Sequence, residues 1–319
     1  MNTFSLSIYR IKIYKRFNKK ENVILSDYDN GKSFLEQIDA MFQAWEVNPN
    51  NVLYKDDKAQ KVSRIQKDAH GNNIYYKHET YIDGIIESGD YGTQEDIIDI
   101  ETGKSKYTKT LQDATLIPFY FMIYVLPHSS EGYLIVERIG TLGISNLLKT
   151  AIINFIGPQL IENYTLSIEP YLVPQILKIR LDAVGGAKKV RLKGVDKNQF
   201  KDLITEQNFG ECTTEVIFAA RKNKTIPDII PIINKLKSAK DKNEPIRINN
   251  IECTDVAFEL DINGKARTIT VADMKNIGTN LDITQQAELG PTNYPTYDCL
   301  NREAHTILSY LMNKENHNE

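Results

Sequence analysis

Residues 117–126 read Ile-Pro-Phe-Tyr-Phe-Met-Ile-Tyr-Val-Leu, ten apolar positions without a break. This run constrains the fold more than any other feature. A helix crossing a bilayer needs about 20 apolar residues, so the run is too short to span one. Beyond a turn at His128-Ser-Ser-Glu-Gly132, residues 133–139 open with a second apolar run, Tyr133–Val136. The pair reads as a hairpin. A strand that is apolar at every position is buried on both faces, so other parts of the chain must cover it.

The rest of the chain supplies candidates. Phe4, Leu6, Ile8, Ile11 and Ile13 alternate with polar positions at the period of a half-buried strand. Ser33 and Glu36 have capping-box spacing. After them Phe34, Leu35, Ile38, Met41, Phe42 and Trp45 form one apolar helical stripe. Residues 61–109 read as strands and tight turns. Past Gly140 the rhythm alternates. Helices are expected over 144–156, 171–181, 196–205 and 226–236, with Pro231 kinking or shortening the last. Strands are expected over 164–168, 188–193, 213–219 and 246–248. Asn263-Gly264 joins strands 256–261 and 266–271 in a hairpin. An amphipathic helix over 295–312 closes the chain. The expected class is α+β: a strand-rich N-terminal part with one early amphipathic helix, then alternating strands and helices with a C-terminal hairpin and helix. A length of 319 residues suggests about two domains. The change of rhythm puts a soft boundary near 140, between 1–140 and 141–319, across which one continuous fold can run.

Arg10, Lys12, Lys15 and Arg16 interrupt any apolar leader. With no membrane segment, the expectation is a cytoplasmic, soluble chain. Cys212, Cys253 and Cys299 are too few for a disulfide scaffold and lack paired metal spacing.

Net charge is only −3, which excludes a uniformly basic nucleic-acid binder. The charges are segregated, however. Residues 10–20 carry six cations and no acid, and residues 178–201 carry eight cations against two acids. Residues 221–242 carry seven cations against two acids, whereas residues 79–101 carry eight acids and no Lys or Arg. On the expected strand 188–193, Lys189, Arg191 and Lys193 share one face by the period of two. Arg221, Lys222 and Lys224 follow the next strand. With Lys188, these seven cations are the candidate phosphate-tracking surface, because Lys and Arg replace condensed counterions on a nucleic-acid backbone. The alternative is a solvated face paired with the acidic segment, within the chain or across a dimer. Tyr75, Tyr76 and Tyr81 form an aromatic cluster of the kind that packs across strands.

Catalytic motifs are not found. There is no Gly-x4-Gly-Lys-Ser/Thr and no Gly-x-Gly-x-x-Gly. Asp99 and Glu101 with Lys104, and Glu259 and Asp261 with Lys265, place carboxylates two apart near a lysine, as a Mg²⁺-dependent nuclease requires. Arg302 and His305 share a helical face. The expected function is therefore a non-catalytic or accessory component binding DNA, RNA or protein, in a bacterial phage-defence or nucleic-acid-handling complex. The alternatives are a divergent metal-dependent nuclease and a homo-oligomer joined by complementary acidic and basic regions. No cofactor or metal is expected.

Overall fold

The computed structural model describes residues 3–27, 33–46, 54–160, 164–171, 173, 186–195, 214–222, 224–227, 229, 231, 232, 235, 246–248, 250–262, 265–270 and 280–312. Contacts divide the chain into two units, residues 1–171 with 280–319, and residues 172–279.

The alternating N-terminal residues form β1 (Phe4–Lys15), which turns into β2 (Asn18–Asn22). Helix α1 (Phe34–Glu46) follows. Then come β3 (Tyr54–Asp56), β4 (Lys61–Ile65), β5 (Tyr75–Lys77) and β6 (Tyr81–Asp90). A separate hairpin consists of β7 (Glu95–Ile98) and β8 (Ser105–Lys109). The apolar hairpin expected from sequence is β9 (Ile117–Val125) and β10 (Gly132–Ile139). The short β11 (Leu142–Gly143), helix α2 (Ser145–Ile156) and β12 (Tyr164–Pro170) complete this stretch.

In the second unit lie β13 (Lys189–Lys193), β14 (Glu215–Ala219), β15 (Ile246–Ile248), β16 (Ile251–Cys253), β17 (Asp255–Ile262) and β18 (Lys265–Thr270). The chain then returns to the first unit with β19 (Asn280–Asp282) and helix α3 (Tyr297–Met312).

The first unit is built on a large antiparallel sheet of order β12-β1-β10-β9-β6-β4-β3. Cross-strand register places Asp83, Ile85, Tyr120, Met122, Ile135 and Glu137 on one face. It places Ile82, Ile86, Phe121, Ile123, Leu134 and Val136 on the other. The second face meets α1, whose Phe42 ring lies 5.0 Å from that of Phe121. Helix α2 reaches the same face, with Lys149 Nζ 4.6 Å from the Tyr9 ring centre. The first face meets α3. The central strands are thus covered from both sides, as the unbroken apolar run of β9 requires.

Local signals at α1 hold in detail. The Ser33 N–H donates to Glu36 Oε2 (2.9 Å) and the Glu36 N–H to Ser33 Oγ (3.1 Å), a closed capping box. All six stripe residues of α1 are buried.

One edge of β1 shows how the second unit is attached. Tyr9–Lys15 pair with β12, the Tyr171 N–H donates to the Ile8 carbonyl (2.9 Å), and Ser5–Ser7 pair with β19. Strand β10 occupies the opposite edge. The chain leaves and rejoins β1 at adjacent positions, and residues 172–279 are inserted between them.

In the second unit, a sheet of order β14-β13-β17-β18 buries Val190, Leu192, Val256 and Phe258 with Ile246, Ile248 and Cys253 of the β15–β16 hairpin. Not all expected helices appear where periodicity put them. The segments 196–205 and 174–181 lie outside the described residues. Ile226 is bridged to Ala187 and Ile229 is not helical, whereas Pro231 and Ile232 are. Pro231 therefore sits in a first helical turn, where a missing N–H is tolerated, and not in a helix interior. Among the described residues, no helix is long and apolar enough to cross a membrane.

Candidate functional site

Strand β13 is central in its sheet, so its outward cations have neighbours on both sides. Lys189 stands opposite Glu259, and Lys193 stands between Glu215 and Asp255. Lys189 Nζ reaches Glu259 Oε1 at 3.1 Å. Arg191 reaches Glu259 at 3.4 Å and Glu215 at 3.9 Å. The hydrogen bond from Lys189, reinforced by Arg191, holds the Glu259 carboxyl below its usual range. Lys189 and Arg191 are thus engaged by carboxylates, whereas the Lys193 ammonium has no ion pair among the described residues.

The remaining candidates are arranged differently. The Ala220 N–H donates to the Lys188 carbonyl (2.9 Å) and the Ile226 N–H to the Ala187 carbonyl (2.7 Å). The loop between these ties is pinned at both ends beside the start of β13. It carries Arg221, Lys222 and Lys224, all exposed, next to the half-buried Lys188. The Lys224 N–H closes it by donating to the Arg221 carbonyl at 2.9 Å. Among the described residues, no ion pair reaches these four side chains.

The carboxylate sets considered for a metal have structural partners. Asp99 accepts from Lys106 and from the N–H groups of Thr102 and Glu101, which hold its pKa down at about 2. It organises the turn of the β7–β8 hairpin. Glu259 is engaged by Lys189 and Arg191. Asp261 and Lys265 lie at the turn end of β17 and β18. Among the described residues, no three His, Cys, Asp or Glu side chains gather as metal ligands would. Cys299 is buried, its thiol donating to the Gln286 carbonyl at 3.3 Å, while His305 is exposed and packs edge-on against Tyr81.

Sequence reasoning missed the polar cluster beneath α3. Asp83 is wholly buried in an apolar stretch of β6. Its Oδ2 accepts from Tyr297 OH (2.6 Å), Asn301 Nδ2 (2.6 Å) and Tyr120 OH (3.2 Å). Burial, then the neighbouring Asp83 charge, raises the pKa of both tyrosines, so their hydroxyls remain donors. Asp83 Oδ1 accepts no hydrogen bond among the described residues; His78 Nε2 faces it at 3.8 Å.

An open cleft of about 380 Å³ lies next to this cluster and shares His78, Tyr297 and Asn301 with it. Tyr76, His78 and Tyr81 wall it from the sheet, and Tyr297, Asp298, Asn301 and Arg302 wall it from the helix. His78 stacks on Tyr81 with ring centres 4.1 Å apart. A single acid in the run Tyr81-Ile-Asp-Gly-Ile-Ile86 was the available signal. Glu137, after the apolar residues Tyr133–Val136 of β10, is a second such buried acid. Its Oε2 accepts from the Tyr120 N–H (3.0 Å), while Oε1 is buried without a donor. Burial pushes its pKa up to about 7.

No protein-family model matches this chain, and a search of curated proteins finds no match.

Proposed function

We propose that the protein is a non-catalytic component that binds nucleic acid through its phosphate backbone, using the loop carrying Arg221, Lys222 and Lys224 together with Lys188. One observation carries this reading. The loop cations are gathered beside the start of β13 without ion-pair partners among the described residues, whereas Lys189 and Arg191 are engaged by Glu259. Free cations can replace counterions on a phosphate backbone; cations already paired must first lose their partners. Lys189 and Arg191 then contribute less. In this reading the protein is a cytoplasmic accessory subunit of a bacterial system handling foreign nucleic acid.

The test compares two triple variants in DNA and RNA binding over a salt series. Changing Arg221, Lys222 and Lys224 to Gln should weaken binding whatever the base sequence. It should flatten the slope of log affinity against log salt by about 0.7–0.9 per lost contact. Changing Lys189, Arg191 and Lys193 to Gln should do less. Wild-type protein showing no salt-dependent binding to any nucleic acid at low ionic strength would sink the reading.

The β7–β8 hairpin favours a second reading, self-association. Ile97, Ile98, Tyr107 and Leu111 are exposed, and Ile100 is 94% exposed. Apolar residues grouped this way mark interaction surfaces. The hairpin sets Glu95, Asp96, Asp99 and Glu101 against Lys104, Lys106 and Lys109; Asp96 and Glu101 have no ion pair among the described residues and are free to meet the basic loop of a second copy. Salt-sensitive self-association in sedimentation experiments, lost in Ile100→Asp, is its expected result.

A further inference from the structure

Strand β1 runs on past its neighbour β10. The two pair only as far as Ile11, opposite Gly132, and β2 pairs with Tyr14 and Lys15 beyond that point. On the other edge β12 accompanies β1 to Lys15, opposite Tyr164. The turn between β1 and β2, Arg16-Phe17, is therefore carried by a strand that is bonded on both edges up to its last residue. Both turn residues are exposed. Phe17 is 86% exposed and makes no ring contact among the described residues.

A lone exposed apolar side chain is ordinary; the charge around this one sets it apart. Residues 10–20 hold six cations and no acid. Glu131 engages Arg10 and Lys12, and Glu21 engages Lys15 at 3.3 Å. Arg16 has no ion pair among the described residues. It precedes the ring in sequence, and Lys19 and Lys20 follow. An uncovered ring in a basic turn fits a polyanion that also offers flat apolar faces. Single-stranded nucleic acid has both features, phosphates for the cations and unpaired bases that stack on aromatic rings. In a duplex those faces are already stacked, and exposing one costs the unstacking of a base. An anionic membrane fits less well. Even a single myristoyl chain gives only marginal membrane binding, and one Phe side chain has less apolar surface than that.

We infer that the β1–β2 turn is a contact site for single-stranded nucleic acid, with the Phe17 ring stacking on a base and Arg16 meeting a neighbouring phosphate. The site belongs to the first unit and is separate from the basic loop. It goes beyond phosphate-backbone binding because it distinguishes unpaired from paired strands.

Fluorescence anisotropy of the full-length protein with labelled oligo-dT, oligo-U and a mixed-sequence duplex tests it, beside co-sedimentation with phosphatidylserine vesicles. Wild-type protein should bind the single strands more tightly than the duplex. Phe17→Ala should weaken single-strand affinity about five- to 150-fold, the value of one base–aromatic stack. It should leave duplex affinity, the salt slope and the melting temperature as they are. Phe17→Trp keeps a ring and should bind single strands as wild type does. Arg16→Gln should instead flatten the single-strand salt slope by about 0.7, one phosphate contact. Four results would each overturn the inference: single strands bound no better than duplex, unchanged single-strand affinity in Phe17→Ala, an equal loss for duplex in that variant, or a loss confined to vesicle binding, which would assign the turn to a membrane. The two nucleic-acid sites fail separately. Binding that responds to Arg221, Lys222 and Lys224 but not to Phe17 refutes this inference alone, and the reverse refutes the basic-loop reading alone.

Discussion

Two acids, Asp83 and Glu137, are buried in the central sheet of the first unit. Glu137 shows what such a position costs. Its pKa of about 7, against an ordinary 4.5, arises from burial. The native state therefore holds a proton that the unfolded chain releases between those two values. Stability from this group is full below pH 4.5 and is lost as pH rises through 7. The total loss is roughly 3 kcal/mol at about 1.4 kcal/mol per pH unit. Glu137→Gln cannot ionise, so its melting temperature should fall less than that of wild type between pH 5 and 8. Parallel pH profiles for the two proteins would refute this. Neither acid could be separated by sequence from an exposed one, because an alternating strand places charges outward just as often.

At the scale of elements, local rules were reliable where a single helix or hairpin carries its own signals. The capping box and stripe of α1, the bounds of α2 and the β9–β10 hairpin all follow from spacing. Close approach between strands did not. Gly84 of β6 lies against the backbone of the chain entering β5: a Cβ there would stand far inside contact distance of the Ile74 carbonyl oxygen and 3.1 Å from the Tyr75 Cα. Both neighbours are backbone and cannot rotate away. Gly84→Ala should destabilise the protein by about 1–3 kcal/mol, the usual cost of overpacking. It should also displace the Tyr76 wall of the cleft. Chemical denaturation measures the first effect, and an unchanged midpoint would show that β5 is free to shift.

For the molecule as a whole, the second unit is an insertion in an edge already defined by β1. Tyr171 and Asn280 meet β1 at Ile8 and Ser7, so the edge can be joined without the intervening chain. Replacing residues 172–279 with a short Gly-Ser linker should leave a cooperatively melting first unit with strand-rich circular dichroism. A product without a melting transition would show that the insertion supports the sheet. Charge behaves similarly at this scale. Half of the eight acids of segment 79–101 are answered by nearby cations: Glu87 by Arg64 at 2.6 Å, Asp90 by Lys61 at 2.6 Å, Glu95 by Lys109 at 3.5 Å and Asp99 by Lys106 at 2.7 Å. In the basic region, Lys189 and Arg191 are likewise met by Glu259.

The sequence by itself determined the mixed helix-and-strand class, the doubly buried β9, the core stripe of α1 and the closing amphipathic helix. These depend on periodicity and capping, which act over a few residues. It also singled out Arg302 with His305 on one helical face and Tyr76 with Tyr81 in one aromatic cluster, though not that the two pairs lie close together. Only the tertiary structure decided that Tyr76, Tyr81 and Arg302 line one cleft and that Asp83 meets Asn301, 218 positions away. Only it separated the engaged cations Lys189 and Arg191 from the loop cations beside them, because cross-strand pairing depends on register between distant segments. The sequence shows which side chains carry charge. Whether a charge meets a partner, water or an open cleft depends on which strands the sheet brings together.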